Sequence, residues 1–205
     1  MKDKILNYSA HVISELFGPM IAPTIGILLI MSFIPAVEYY PLKLKLILLA
    51  IVVCSTCLIP LLYQSVSNLN RRLLNEKRLD NSKILFYLFY CLSVFFGAQL
   101  LGKLPVSGLF KLFLLGTSFV MLTNFIITFK WNISEHISVI GGILGTIIAL
   151  NFRYGVDIVW TVIILLIIAG IVGSSRIYLD KHTPAQVYSG FALGGILMFG
   201  LLLII

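Results

Sequence analysis

Val187–Ile205 reads VYSGFALGGILMFGLLLII, a run of 19 residues without a charged side chain. A helix needs about 20 mostly apolar residues to cross the hydrocarbon core of a bilayer, so this run predicts a membrane-spanning helix. Further apolar runs precede it: Met20–Tyr39, Leu44–Tyr63, Ile84–Leu101, Leu109–Phe129, Ile137–Leu150 and Val156–Gly173. The sequence therefore predicts an all-α fold, a polytopic transmembrane helix bundle with six core helices plus an extra N-terminal span, about seven in total.

The composition points to the same fold class. Hydrophobic residues make up 60% of the chain and charged residues 11%, whereas soluble domains average about 45–50% and about 25%. The net charge is +7, but no stripe of basic residues with interleaved aromatics indicates a nucleic-acid partner. The lipid bilayer and its anionic headgroups are the expected partners of such a chain.

The N-terminal part is predicted to differ from the rest. Residues 1–19 are expected to form an N-terminal interfacial helix, because Asn7–Phe17 mixes polar and apolar residues. Residues 20–205 are expected to form the transmembrane domain, with its core over about residues 45–205. The first span is expected to be kinked or partly re-entrant, because prolines interrupt it or its approach: Pro19, Pro23 and Pro35.

Two polar clusters share one membrane face, because two predicted spans separate them. Residues 174–186 read SSRIYLDKHTPAQ, where Pro184 suits the first turn of a helix and Thr183 its N-cap. Residues 130–136 read KWNISEH, where Ser134 is a good N-cap. Each cluster carries a histidine beside a helix N-terminus, and the positive end of a helix favours a bound anion. The sequence therefore predicts an anion site at this face.

The later cluster resembles the third motif of the type 2 phosphatidic acid phosphatase superfamily. That motif is Ser-Arg, five residues, His, three residues and Asp, and Ser175, Arg176 and His182 match it at this spacing. Gln186 stands where the motif has Asp.

The earlier cluster resembles the second motif of the same superfamily, Pro-Ser-Gly-His. Residues 133–136 read Ile-Ser-Glu-His, which keeps the serine, Ser134, and the histidine, His136. The resemblance covers about residues 45–205, and the basic loop 70–83 resembles that of short, divergent bacterial members. It implies a transmembrane phosphatase-like domain in the bacterial inner (plasma) membrane, crossed by several spans.

The resemblance also implies a reaction. A membrane lipid phosphatase of this family hydrolyses a phosphate monoester or diphosphate through a phosphohistidine. His182 would be the nucleophile and His136 the acid that protonates the leaving oxygen, and an imidazole pKa of about 6.5 suits both tasks. Arg176 would clamp phosphate oxygens, and Ser134 and Ser175 would add donors. No metal or other cofactor is implied.

Two departures from the family pattern bear on activity. The first motif, Lys, six residues and Arg-Pro, is missing, and we hypothesise that Lys77, Arg78 and Lys130 supply its phosphate-binding charge. Gln186 would orient His182 without the negative charge of Asp. In a serine-protease triad the change from Asp to Asn lowers kcat about 10⁴-fold, so the substitution predicts slow catalysis or a site that binds without cleaving.

Three functions remain open at this point. The first is the enzyme, with phosphatidic acid, phosphatidylglycerol phosphate, a polyprenyl diphosphate or a lipid A phosphate as substrate. The second is a catalytically weak or inactive lipid-phosphate binding or transport-like membrane protein, and the third is a structural subunit. The basic residues of the short loops divide ten to five in favour of the face that carries the site, which predicts a cytoplasmic site.

Overall fold

A computed structural model of the chain describes residues 7–12, 14, 17–74 and 79–204, with the backbone alone for residues 68–74 and 79–83. These residues form helices joined by short loops, and no β-strand occurs among them. Residues 7–12 are helical. The longer helices follow in chain order: α1 (Ala22–Phe33), α2 (Leu42–Val53), α3 (Ile59–Leu74), α4 (Leu79–Leu101), α5 (Gly108–Thr128), α6 (Glu135–Tyr154), α7 (Val159–Tyr178) and α8 (Pro184–Leu203).

Six stretches of helix within the described residues are long and apolar enough to cross a membrane. Helices α2 and α3 join through a π-helical segment, Cys54–Leu58, into one such stretch, Leu42–Ser67. The others lie in α4, α5, α6, α7 and α8. The predicted all-α, polytopic membrane bundle is confirmed.

The first predicted span, Met20–Tyr39, is not one continuous helix. Helix α1 has 12 residues and is about 18 Å long, which is short of the roughly 30 Å of a hydrocarbon core. A 3₁₀ turn, Pro35–Tyr39, follows it. The extra N-terminal span therefore contains a helix of about half the required length, as its prolines predict.

Hydrogen bonds from neighbouring helices hold the chain at the start of α1. The Tyr90 hydroxyl of α4 donates to the Pro19 carbonyl at 2.6 Å, and the Cys57 thiol of the π-helical segment donates to the Met20 carbonyl at 2.9 Å. Both donors lie well inside helical segments, so residues 19–20, which are half-buried, pack against the bundle. The carbonyls freed by the break before α1 are satisfied in this way.

Helices α6 and α8 pack against each other through close backbone contact. A Cβ atom on Gly194 would overlap the carbonyl oxygen of Ser138, and one on Gly190 would lie 2.7 Å from the carbonyl oxygen of Ser134. Glycine at these positions lets the two helices approach closely. As a result, the N-terminal ends of both helices, where the two polar clusters lie, are adjacent.

Candidate functional site

Both predicted helix starts at the polar clusters are confirmed. Thr183 is the N-cap of α8 and Pro184 its first residue, while Ser134 is the N-cap of α6. The Ser134 N–H donates to the main-chain carbonyl of Gln186 at 3.3 Å, which ties the two loops together. Two helix N-termini therefore lie side by side at one end of the bundle, where their partial positive charges add.

The chain reverses direction after α7 through a Schellman motif. The Lys181 N–H donates to the Arg176 carbonyl at 3.1 Å, and the Asp180 N–H donates to the Ile177 carbonyl at 3.0 Å. Asp180 has a φ of 52°, the left-handed conformation that this motif requires. The turn brings His182 back over the last turn of α7. The spacing of five residues between Arg and His in the motif therefore corresponds to the length of this turn.

His182 makes two hydrogen bonds that fix its protonation. Its Nε2 lies 3.2 Å from Nη2 of Arg176, and its Nδ1 lies 3.1 Å from the carbonyl oxygen of Asn132. A guanidinium only donates and a carbonyl only accepts. Nδ1 therefore carries the proton, and the lone pair of Nε2 faces the Arg176 guanidinium.

The surroundings of His182 favour the neutral ring. Burial lowers its pKa, and the nearby positive charges of Arg176 and Lys181 lower it further. The hydrogen bond to the Asn132 carbonyl and the Gln186 side chain oppose this by favouring the charged form. Since the net direction is downward from about 6.5, the ring is neutral at neutral pH.

Arg176 also binds a residue that no sequence motif indicated. Its Nη1 donates to the Ser14 hydroxyl at 3.0 Å, and Ser14 is 1% exposed. The two residues are 162 positions apart in the chain. The N-terminal segment therefore contributes to the site, although the sequence predicted only an interfacial helix there.

His136 and Ser134 lie beside this pair on α6. His136, in the first turn of the helix, is within electrostatic range of both Arg176 and His182. Its Nδ1 and the hydroxyl of Ser134 are buried and have no hydrogen-bond partner among the described residues. Buried polar atoms normally have a partner, so these two are positioned to bind polar atoms of a ligand or of water.

Gln186, which the sequence predicts to orient His182, has a side chain with two sets of contacts. It interacts with the His182 ring, and it also caps α8. Its Oε1 accepts the Thr183 N–H at 2.9 Å, and its own N–H donates to the Thr183 hydroxyl at 3.4 Å, which forms a capping box. The Asn132 carbonyl lies 3.1 Å from Nδ1 of His182. The groups that support the ring, this carbonyl and the Gln186 amide, are therefore both uncharged.

The structure describes two of the four remaining predicted site residues, Ser175 and Lys130. Ser175 is buried, and its hydroxyl donates to the Ile171 carbonyl at 2.8 Å. Lys130 is exposed at the end of α5. Lys77 and Arg78 lie outside the described residues. The described part of the site therefore consists of Ser14, Ser134, His136, Arg176 and His182, together with the Asn132 carbonyl that contacts Nδ1 of His182.

The fold and this cluster define a multi-pass membrane protein with a basic, histidine-bearing polar site at one end of its helix bundle. The family model described as PAP2 superfamily matches residues 114–205, which include both polar clusters. Residues 114–205 are therefore assigned to this superfamily, the type 2 phosphatidic acid phosphatases. No curated protein and no solved structure gives a significant match.

Proposed function

We propose that this protein hydrolyses a phosphate monoester or diphosphate of a membrane lipid through a phosphohistidine formed on His182. One observation carries the proposal: a neutral imidazole whose Nε2 lone pair faces the guanidinium of Arg176. Arginine is the side chain best suited to bind a phosphate by two parallel hydrogen bonds. A phosphate that binds Arg176 is therefore placed next to the nucleophilic nitrogen.

The first step follows from this arrangement. A phosphate oxygen replaces Nε2 of His182 as the acceptor of the Arg176 guanidinium. Nε2 then forms a bond to phosphorus while the bond from phosphorus to the lipid oxygen breaks. The Nδ1–H bond to the Asn132 carbonyl stabilises the positive ring that results. His136, which takes up a proton when the negatively charged phosphate binds beside it, gives that proton to the leaving lipid oxygen.

The second step reverses the roles of the two histidines. His136, now neutral, removes a proton from water as that water attacks phosphorus. The bond from phosphorus to Nε2 breaks, phosphate leaves, and both rings return to their initial states. The hydroxyl of Ser134 and the N-terminal N–H groups of α6 and α8 bind oxygens of the transferring group. Phosphoryl transfer depends mainly on such positioning and charge neutralisation.

A second function is a lipid-phosphate binding protein with little or no turnover. Gln186 supports it, because its neutral amide, which also caps α8, supplies no negative charge to His182. The substrate-binding groups, Arg176 and Ser134, are retained in either case. The bacterial inner membrane is the proposed setting for both functions.

Phosphate release from purified protein tests the proposal. The protein in detergent is offered phosphatidic acid, phosphatidylglycerol phosphate, a polyprenyl diphosphate and lipid A phosphate, each with a ³²P label so that a phosphoenzyme can be trapped by an alkaline denaturing quench. We expect release from at least one lipid, loss of release in His182→Ala, and an acid-labile label on the wild type. His11→Ala is the matched control, because His11 is an exposed histidine outside the site.

Each outcome separates the two functions. Release that persists in His182→Ala, or a label that is found on another residue, contradicts the phosphohistidine mechanism. Binding of a labelled lipid that Arg176→Ala abolishes, without release by the wild type, supports the binding protein.

A further inference from the structure

An open groove runs along the outer face of α7 and begins beside the candidate site. Its volume is about 600 Å³. Ser9 and Ala10 of the N-terminal segment form one wall, and residues of α7 form the other, including Ile167, Gly170, Ile171 and Tyr178. Apart from a few hydroxyl groups, the groove is apolar.

The groove lies next to the candidate site. Ser175, which lines the groove, is the neighbour of Arg176 in α7. The N-terminal segment that forms the opposite wall also carries Ser14, which accepts a hydrogen bond from Arg176. A ligand with its phosphate at Arg176 therefore has this groove as an apolar path away from the site.

The length of the groove corresponds to one leaflet of a bilayer. From Tyr178 to Ile167 is 11 residues along α7, or about 16 Å at about 1.5 Å per residue. The hydrocarbon core of a bilayer is roughly 30 Å thick. The groove therefore extends from the membrane boundary, where the site lies, to about the middle of the membrane.

We propose that this groove holds a hydrocarbon chain of the lipid whose phosphate binds at Arg176 and His182. The inference rests on the proposed function for the phosphate end of that lipid. A chain that leaves the bilayer for the groove exchanges one apolar surrounding for another, so the hydrophobic effect adds little affinity. The groove acts by fixing the position of the lipid, which holds the phosphorus atom in line with Nε2 of His182.

Gly170 offers a direct test. No atom of the described residues lies within 4 Å of the position that a Cβ would take at Gly170, and the same is true of Gly200 on α8. Leucine at Gly170 fills the groove without a clash with those residues, whereas leucine at Gly200 adds the same bulk elsewhere. Leucine also favours a helix more than glycine does, so neither change weakens its helix.

The experiment compares Gly170→Leu with Gly200→Leu on long and short substrates in detergent. Dioleoyl phosphatidic acid tests the groove, and p-nitrophenyl phosphate tests the phosphate site alone. We expect Gly170→Leu to lower turnover of the dioleoyl lipid about tenfold or more, because a misplacement of about 1 Å can cost about 10²-fold. Turnover of p-nitrophenyl phosphate should stay unchanged, and Gly200→Leu should leave both activities unchanged.

A cross-linking experiment tests the proposal for the groove separately from the proposed reaction. A phosphatidic acid with a diazirine on its acyl chain should label residues 167–178 in the wild type and in His182→Ala, and should fail to label them in Gly170→Leu. Labelling without any phosphate release means that the groove holds the chain and the proposed reaction is wrong. Normal turnover of the dioleoyl lipid by Gly170→Leu, or labelling elsewhere, overturns the proposal that the groove holds the hydrocarbon chain. A change of oligomeric mass in Gly170→Leu with normal turnover assigns the groove to a second copy of the chain and also overturns it.

Discussion

At the scale of single residues, two neighbouring groups determine the tautomer of His182. Arg176 can only donate and the Asn132 carbonyl can only accept, so the ring is held as the tautomer with a free electron pair on Nε2. This arrangement differs from a charged triad, in which a carboxylate stabilises the positive ring more strongly. The neutral carbonyl therefore stabilises a positively charged His182 ring, but less strongly than a carboxylate would.

The pH dependence of turnover should report the charges around His182. The nearby positive charge of Lys181 lowers the pKa of His182, so Lys181→Gln should raise that pKa. The neutral, nucleophilic ring of His182 then becomes protonated at a higher pH when the medium is acidified. The acid limb of the kcat/KM profile should move to higher pH by a small amount, because Lys181 is exposed and screened by salt.

The matched control for this profile is Lys103→Gln. Lys103 follows α4 at the opposite end of the bundle, so its loss should leave the profile unchanged. An acid limb that moves to lower pH in Lys181→Gln would contradict the assignment of His182 as the group that must be neutral.

Ser14 is expected to act as a positioning residue for Arg176. Ser14→Ala removes the acceptor of Nη1, and hydrogen bonds to charged groups contribute about 1.5–3 kcal/mol. We expect kcat/KM to fall about tenfold, which corresponds to about 1.4 kcal/mol. Ser14→Thr keeps the hydroxyl and should restore most of the activity.

The control for Ser14 is Ser32→Ala. Ser32 lies on α1, and its hydroxyl donates to the Leu29 carbonyl, far from the site in the sequence. A Ser14→Ala protein with full activity, or a Ser14→Thr protein as impaired as Ser14→Ala, would rule out the role of the hydroxyl.

At the scale of elements, the turn after α7 and the contact of α6 with α8 assemble the site. The Schellman motif returns His182 to Arg176, and the glycines of α8 bring its N-terminus beside that of α6. Neither element carries out chemistry. Both set the distance between His182 on one loop and His136 at the start of α6.

Substitutions of Asp180 test whether the turn after α7 positions His182. Its φ of 52° is left-handed, a conformation that costs most L-residues about 1–2 kcal/mol and glycine almost nothing. Asp180→Gly should therefore keep both thermal stability and phosphate release. Asp180→Val places a β-branched residue there and should displace His182, with a loss of release that exceeds the loss of stability.

Thermal unfolding and phosphate release, measured on the same preparations, check this prediction. The two substitutions remove the same carboxylate, so a difference between them shows the effect of the left-handed backbone conformation at position 180. Equal loss in both would instead assign a direct role to the Asp180 side chain.

At the scale of the whole molecule, the site combines a family core with an N-terminal addition. Residues 114–205 match the superfamily and hold the histidines and Arg176. The N-terminal segment lies outside that region and supplies Ser14 and one wall of the groove. The lipid specificity of this chain is therefore expected to depend on its N-terminal segment more than on its family core.

The membrane face of the site is a prediction from the basic residues of the loops. In a variant without native cysteines, Lys181→Cys should be protected from a membrane-impermeant maleimide in intact cells, and Lys103→Cys should react. Inverted vesicles should reverse the pattern. Reaction of Lys181→Cys in intact cells would place the site on the outer face and leave the chemistry unchanged.

The sequence by itself determined the membrane class, the positions of the long helices and the helix starts at Thr183 and Ser134. These features depend on local composition, capping and spacing, which a linear pattern records directly. The same locality explains the match of Arg176 and His182 to a family motif, since one turn joins them.

Only the tertiary structure decided which groups complete the site. Ser14 is remote in the sequence, and the Asn132 carbonyl belongs to the main chain, so neither leaves a residue pattern that spacing can reveal. Gln186 occupies the expected position in the sequence, but a local cap competes for its amide. The break before α1 likewise depends on hydrogen bonds from Tyr90 and Cys57, because a hydrophobic run fixes how apolar a segment is and not whether its helix is continuous.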